Sequence, residues 1–111
     1  MAKSPVIDDA ERRMIRAAGM PFPIDEASKD RVHKQFEACP ECKQKSVPLS
    51  LIVATQRDID DEHVQKMLHK PDEEPIDVVS MNGKYYLDDG HHRAVAARYR
   101  GESTIPARVA S

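Results

Sequence analysis

Lys84-Tyr85-Tyr86-Leu87-Asp88-Asp89-Gly90-His91-His92-Arg93-Ala94-Val95-Ala96-Ala97-Arg98-Tyr99 reads as a strand that breaks at a glycine and turns into a helix. Immediately upstream, Asn82-Gly83 stands between Ile76–Met81 and Lys84–Asp88. Both residues tolerate positive φ, so the pair predicts a β-hairpin closed by a type I′ turn. On the helical side His92, Val95, Ala96 and Tyr99 share a face, Gly101 ends the helix, and Thr104 to Val109 forms a last strand. Toward the N-terminus, Val47-Pro48-Leu49-Ser50-Leu51-Ile52-Val53 alternates as one strand. A helix follows, capped by Asp60, with Ile59 and Val64 as staple and Val64, Met67 and Leu68 as buried stripe. Strand, helix, hairpin, helix and strand from residue 47 onward predict one small α/β domain with a mixed sheet.

The first 46 residues have a different texture. A helix is expected over 8–18, with Asp8 and Glu11 as a capping box, and a second over 25–39, with Val32, Phe36 and Cys39 on one face. Between them Met20-Pro21-Phe22-Pro23 must be extended, because each proline removes a donor and restricts the residue before it. The polar stretch 41–46 marks a boundary, so the chain divides into an N-terminal helical extension, 1–46, and an α/β domain, 47–111, that is expected to fold without it.

The chain has 111 residues, 40% apolar and 32% charged, with a net charge of −2. That length carries one core. A net negative chain with no basic arm is not an autonomous duplex-DNA binder, since such binding rests on neutralising phosphates with Lys and Arg. No apolar run approaches a membrane span or a signal peptide, so a cytoplasmic protein without membrane contact is expected.

Function concentrates at the turn. Two acids, a glycine, two imidazoles and a guanidinium crowd a helix N-terminus, whose free N–H groups and dipole suit an anion. Gly90 lets phosphate approach the backbone, and Arg93 can add a bidentate contact. Asp89 or His91 could act as general base, and a carboxylate there could hold Mg²⁺ with a nucleotide. On the helical wheel His92 falls on the apolar face and His91 and Arg93 toward the cleft. Asp89 as a plain cap and Gly90 as a plain turn residue is the bland reading of the same residues.

Those segments, with Pro75-Ile76-Asp77-Val78-Val79 and Ile105-Pro106-Ala107-Arg108-Val109 in matching order, resemble the ParB/sulfiredoxin-like superfamily over about residues 47–110. The likeness is to the N-terminal domain of ParB and to the ParB-like nuclease domains of phages and actinobacteria. It implies that Gly90, His91, His92 and Arg93 line a phosphate or nucleotide pocket, and that Gln56 and Arg57 reach it from the opposite loop. With that pocket, a ParB-like phosphoester- or nucleotide-hydrolysing enzyme is expected, Asp89 or His91 doing the catalytic proton or metal work, or a DNA- or protein-binding regulatory module of the same fold. Sulfiredoxin needs a cysteine where this chain has His91, so sulfinic acid reduction is not expected. The Asp-Gly-His-His-Arg turn is also similar to that of free-serine kinases, which makes an amino-acid kinase a third reading.

Cys39-Pro40-Glu41-Cys42 has zinc-knuckle spacing, and His33 is the nearest third ligand. A second Cys/His pair is missing, and Cys39 lies on the apolar stripe, so a structural role is expected in place of zinc or redox chemistry. Asp58, Asp60, Asp61 and Glu62 suit the start of a helix.

Overall fold

The computed structural model describes residues 19–39, 41–69 and 74–111. The helix expected over 8–18 and most of the acidic loop after Lys70 lie outside them. Five strands form one mixed sheet: β1 (Lys43–Pro48), β2 (Ile52–Val53), β3 (Ile76–Met81), β4 (Lys84–Asp89) and β5 (Thr104–Ala110), in the order β1-β5-β3-β4-β2. β1 runs antiparallel to β5 and β3 to β4, whereas β3/β5 and β2/β4 are parallel. Among the described residues three α-helices accompany the sheet: α1 (Lys29–Glu37), α2 (Asp61–His69) and α3 (His91–Tyr99).

Alternation along the strands separates two cores. Ile76, Val78, Leu87, Ile105 and Ala107 face α2 and α3 and pack with Val64, Ala94 and Val95. On the opposite face Val79 and Ala110 meet Val32 of α1, with Phe36 and Tyr86 beside them. A boundary at residue 46 falls inside β1. Phe22 and Val32, both N-terminal to it, are buried. The Phe22–Asp25 segment also extends the sheet edge: Ala54 N–H donates to the Pro23 carbonyl (2.8 Å) and Asp25 N–H to the Ala54 carbonyl (2.7 Å).

One expectation is corrected. Residues 47–53 are not one strand: β1 ends at Pro48, Leu49–Leu51 form a 3₁₀ turn, and β2 resumes on the far edge of the sheet. The alternation fails at Leu51, which is exposed while Ile52 is buried. Opposite edges of a flat five-stranded sheet would stand about 19 Å apart. The four residue steps from Pro48 to Ile52 reach at most about 14 Å even when extended, so the sheet must curl.

The local signals fare well. Asp25 caps the first turn before α1, accepting from Ser28 N–H (3.2 Å) and hydroxyl (2.7 Å). Asp60 caps α2 through Glu62 N–H (3.0 Å). Asn82 (φ 55°) and Gly83 (φ 74°) both have positive φ, as a type I′ turn requires, with Met81 opposite Lys84. Gly83→Val places a β-branched residue where it is an outlier and is expected to cost about 1–3 kcal/mol, read as a lower urea midpoint. Ligand affinity should not change, and an unaltered midpoint would contradict this turn geometry.

Candidate functional site

α3 starts at a kink. Gly90 is its N-cap in the left-handed region (φ 100°, ψ 26°) and supplies no side-chain cap. The first hydrogen bond into the helix runs from Ala94 N–H to the Gly90 carbonyl (2.9 Å). The amides of His91, His92 and Arg93 thus form an uncapped helix N-terminus. They open on a cleft of about 200 Å³ lined by Gln56, His63, Met67 and the run Asp88 to Arg93.

The two histidines exchange the roles assigned by the helical wheel. His91 is the buried one, and its Nε2 accepts the Thr55 backbone N–H at 3.0 Å. His92 is half-buried; its Nε2 accepts the Asp60 N–H at 3.0 Å, and its ring stacks on His63 with centroids 4.5 Å apart. The wheel misleads because α3 lies between the sheet and α2, so Ala94, Val95, Ala96 and Ala97 are all buried and no single stripe marks the inner face. With Nε2 accepting, each neutral ring carries its proton on Nδ1.

Burial pushes the His91 imidazole down to about 4, helped by His92 and Lys29 and opposed by Asp89. His92 is also lowered, first by burial and then by His63. A depressed base binds fewer protons folded than unfolded, so its stabilising effect is full above the ordinary value of 6.5. That effect is lost as pH falls from 6.5 through about 4. For His91 the gap corresponds to about 3 kcal/mol. Urea midpoints should therefore drop over this window, and His91→Gln, whose amide oxygen can stand near the Nε2 position that accepts from Thr55, should flatten the profile; an unflattened profile would place the titration elsewhere.

Arg93 is largely buried, its Nη1 3.7 Å from Glu74 and its Nη2 3.9 Å from Asp89, whose side chain is 76% exposed. Asp88 turns to the other face of the sheet, where His33 Nδ1 meets its Oδ1 at 2.9 Å. Glu37 pairs with the same ring, and the two carboxylates, Asp88 foremost, raise the His33 pKa. The structure therefore brings Gly90, His91, His92, Arg93, Asp89 and Gln56 together. Arg57 faces the adjoining cleft of about 470 Å³ and pairs with Glu26 (3.3 Å).

Packing also constrains Gly90. A Cβ there would stand 2.6 Å from Ile76 Cγ2, so the position is demanded by packing as well as by any ligand. Cys39 and Cys42 are paired as a disulfide, and His33 Nδ1 meets Asp88 Oδ1. Sequence reasoning missed Thr55, which donates its N–H to His91 and its hydroxyl to the Leu87 carbonyl (2.6 Å). It also missed His63. Neither belongs to a periodic stripe; only their position beside the loop facing the turn could have flagged them.

This architecture is the ParB/sulfiredoxin-like fold. Sulfiredoxin from Arabidopsis thaliana superposes with a TM-score of 0.54 at 27% identity, covering 60% of this chain and 83% of that one. ParB from Caulobacter crescentus complexed to the centromeric parS site gives 0.53 at 22%, and the same protein complexed with CTP-gamma-S gives 0.50 at 22%. In each case 60% of this chain is covered, against 38% and 43% of the ParB chains. Within that fold, the sequence matches the family described as antitoxin VapB-like over residues 13–111. The chain belongs to the VapB-like antitoxin family. No curated protein matches it. Among the described residues no helix is long and apolar enough to cross a membrane.

Proposed function

We propose that this protein acts as an antitoxin, a small binding module that engages a toxin protein, and that its Gly90–Arg93 cleft takes a phosphate-bearing ligand, most simply a nucleotide, without turning it over. The family match supports the first part. The observation that carries the second is the engagement of both imidazole acceptors: Nε2 of His91 and of His92 each already receives a backbone N–H. A general base needs a free acceptor within reach of the proton it takes. The amides at the start of α3 and the Arg93 guanidinium, which already stands near Glu74 and Asp89, are the donors that an anion would draw on.

A phosphoester or nucleotide hydrolase is the second reading, favoured by the exposed Asp89 beside Arg93. There Asp89 would do the proton or metal work. Among the described residues no group of three or more His, Cys, Asp or Glu side chains could hold a metal. Mg²⁺ would therefore enter with the nucleotide phosphates, held by one or two carboxylates.

Calorimetric titration of CTP, ATP and pyrophosphate, with and without Mg²⁺, tests the site. Wild type should bind at least one of them, and Arg93→Ala should weaken it about tenfold or more, since charge-assisted hydrogen bonds contribute about 1.5–3 kcal/mol. Equal binding by Arg93→Ala would remove the phosphate reading. Release of phosphate, abolished in Asp89→Asn, would replace the binding module with the hydrolase. Growth rescue on co-expression with a toxin partner tests the antitoxin assignment separately.

A further inference from the structure

At the end of the sheet opposite the Gly90 turn lies a cleft of about 650 Å³ that the proposed function leaves unused. Its walls include Lys43 and Lys45 of β1, Ser80 of β3, Val109 of β5, and Gln35 and Cys39 near the end of α1. β1 is an edge strand whose first four residues, Lys43 to Ser46, are exposed. Val47 lies opposite Ile105, and Leu49 N–H donates to the Ser103 carbonyl at 2.9 Å. Backbone groups alternate in direction along an antiparallel strand. The odd-numbered residues of β1 therefore bond to β5, while Gln44 and Ser46 direct N–H and C=O away from the sheet. Pro48, with no N–H, closes that edge.

The side chains add a charge pattern. Lys43 and Lys45 stand on the same face, two residues apart. Among the described residues neither has an ion-pair partner, although Glu41 also lines the cleft. The ammonium of Lys45 sits 5.6 Å from the centre of the Tyr85 ring, a contact it would exchange for an incoming carboxylate. Lysines on an edge ordinarily guard against aggregation. Here they border a cavity large enough for side chains, beside a backbone ladder that no strand pairs with among the described residues.

We infer that β1 is a docking edge for an extended, acidic segment of a partner protein, which adds as a sixth strand with Asp or Glu at alternate positions over Lys43 and Lys45. Strand addition supplies both the acceptors for the Gln44 and Ser46 N–H groups and the donors for their carbonyls. Nucleic acid phosphates offer acceptors alone and would leave those carbonyls without a partner. A second copy of this chain, paired antiparallel through β1, would set lysine against lysine. That the segment belongs to a toxin rests on the antitoxin reading; the edge itself does not.

The test uses the full chain, labelled with ¹⁵N, and a capped peptide of alternating glutamate and valine. The peptide should shift the Gln44 and Ser46 amides and slow their hydrogen exchange at least tenfold. Lys43→Glu/Lys45→Glu, both at exposed positions, should keep the melting temperature and lose at least tenfold in affinity. Equal binding of a lysine-for-glutamate peptide, preferential binding of an oligothymidylate, or protection at other amides would each overturn the proposal. Failed growth rescue with peptide binding intact would remove the antitoxin reading alone, and absent peptide binding would remove the docking edge alone.

Discussion

A chain shortened to begin at residue 44 is expected to lose cooperative folding. Val32 is fully buried against Val79 and Ala110, and Phe22 is 6% exposed within the main core. Burial of a Val or Phe side chain contributes about 1.5–3 kcal/mol each, against about 5–15 kcal/mol for a whole domain. The truncation also removes the Pro23 and Asp25 bonds to Ala54 and the Tyr99 hydroxyl bond to the Gly19 carbonyl (2.7 Å). Val79, Ala110 and Tyr86 would then face water as one apolar patch. The shortened chain should retain far-ultraviolet dichroism, lose the near-ultraviolet signal and bind a hydrophobic dye, the marks of lost packing. A sharp melt within a few degrees of the full chain would show instead that residues 44–111 stand alone.

Gly90→Ala is expected to destabilise by about 2–6 kcal/mol, from two additive sources. An alanine at φ 100° pays backbone strain of about 1–3 kcal/mol. Its Cβ would also meet Ile76 Cγ2 at 2.6 Å and Ile76 Cβ at 2.9 Å. Ile76 is fully buried on β3 and cannot swing aside, so overpacking adds about 1–3 kcal/mol. Arg93 Nη2 lies 3.0 Å from the same point, so the substitution should also disturb phosphate affinity. Chemical denaturation of Gly90→Ala beside Arg93→Ala separates the two: the first should lose stability and affinity together, the second mainly affinity. A Gly90→Ala protein as stable as wild type would contradict the turn as described.

Those two effects mark the division between what is local and what is not. Asn82-Gly83, the cap at Asp60 and the glycine break before His91 act over four residues or fewer, and each was legible in the sequence because local sterics and hydrogen bonding decide it. The order of elements from β3 to β5 and the fold class followed from them. The crowding of polar residues at the Asp88–Arg93 turn was legible too, because they adjoin in the chain.

Three features depended on contacts between distant residues. Leu49–Leu51 could read as strand because Val47, Leu49 and Val53 keep a period of two; the 3₁₀ turn wins because it lets Ile52 and Val53 pair with Tyr85 and Tyr86 across the curled sheet. Which histidine faces inward was set by Thr55, 36 residues away in sequence, whose N–H needed an acceptor in the interior. The place of α1 was hidden for a similar reason: Val32 and Phe36 show that the helix has an apolar face, but only the sheet's second face, with Val79 and Ala110, tells what that face covers. Sequence alone determined the elements from α2 onward and the polar groups gathered at one turn, since these are short-range properties of the chain. The tertiary structure decided which of those groups remain available to a ligand, because burial and hydrogen-bond partnership arise only when separate segments meet.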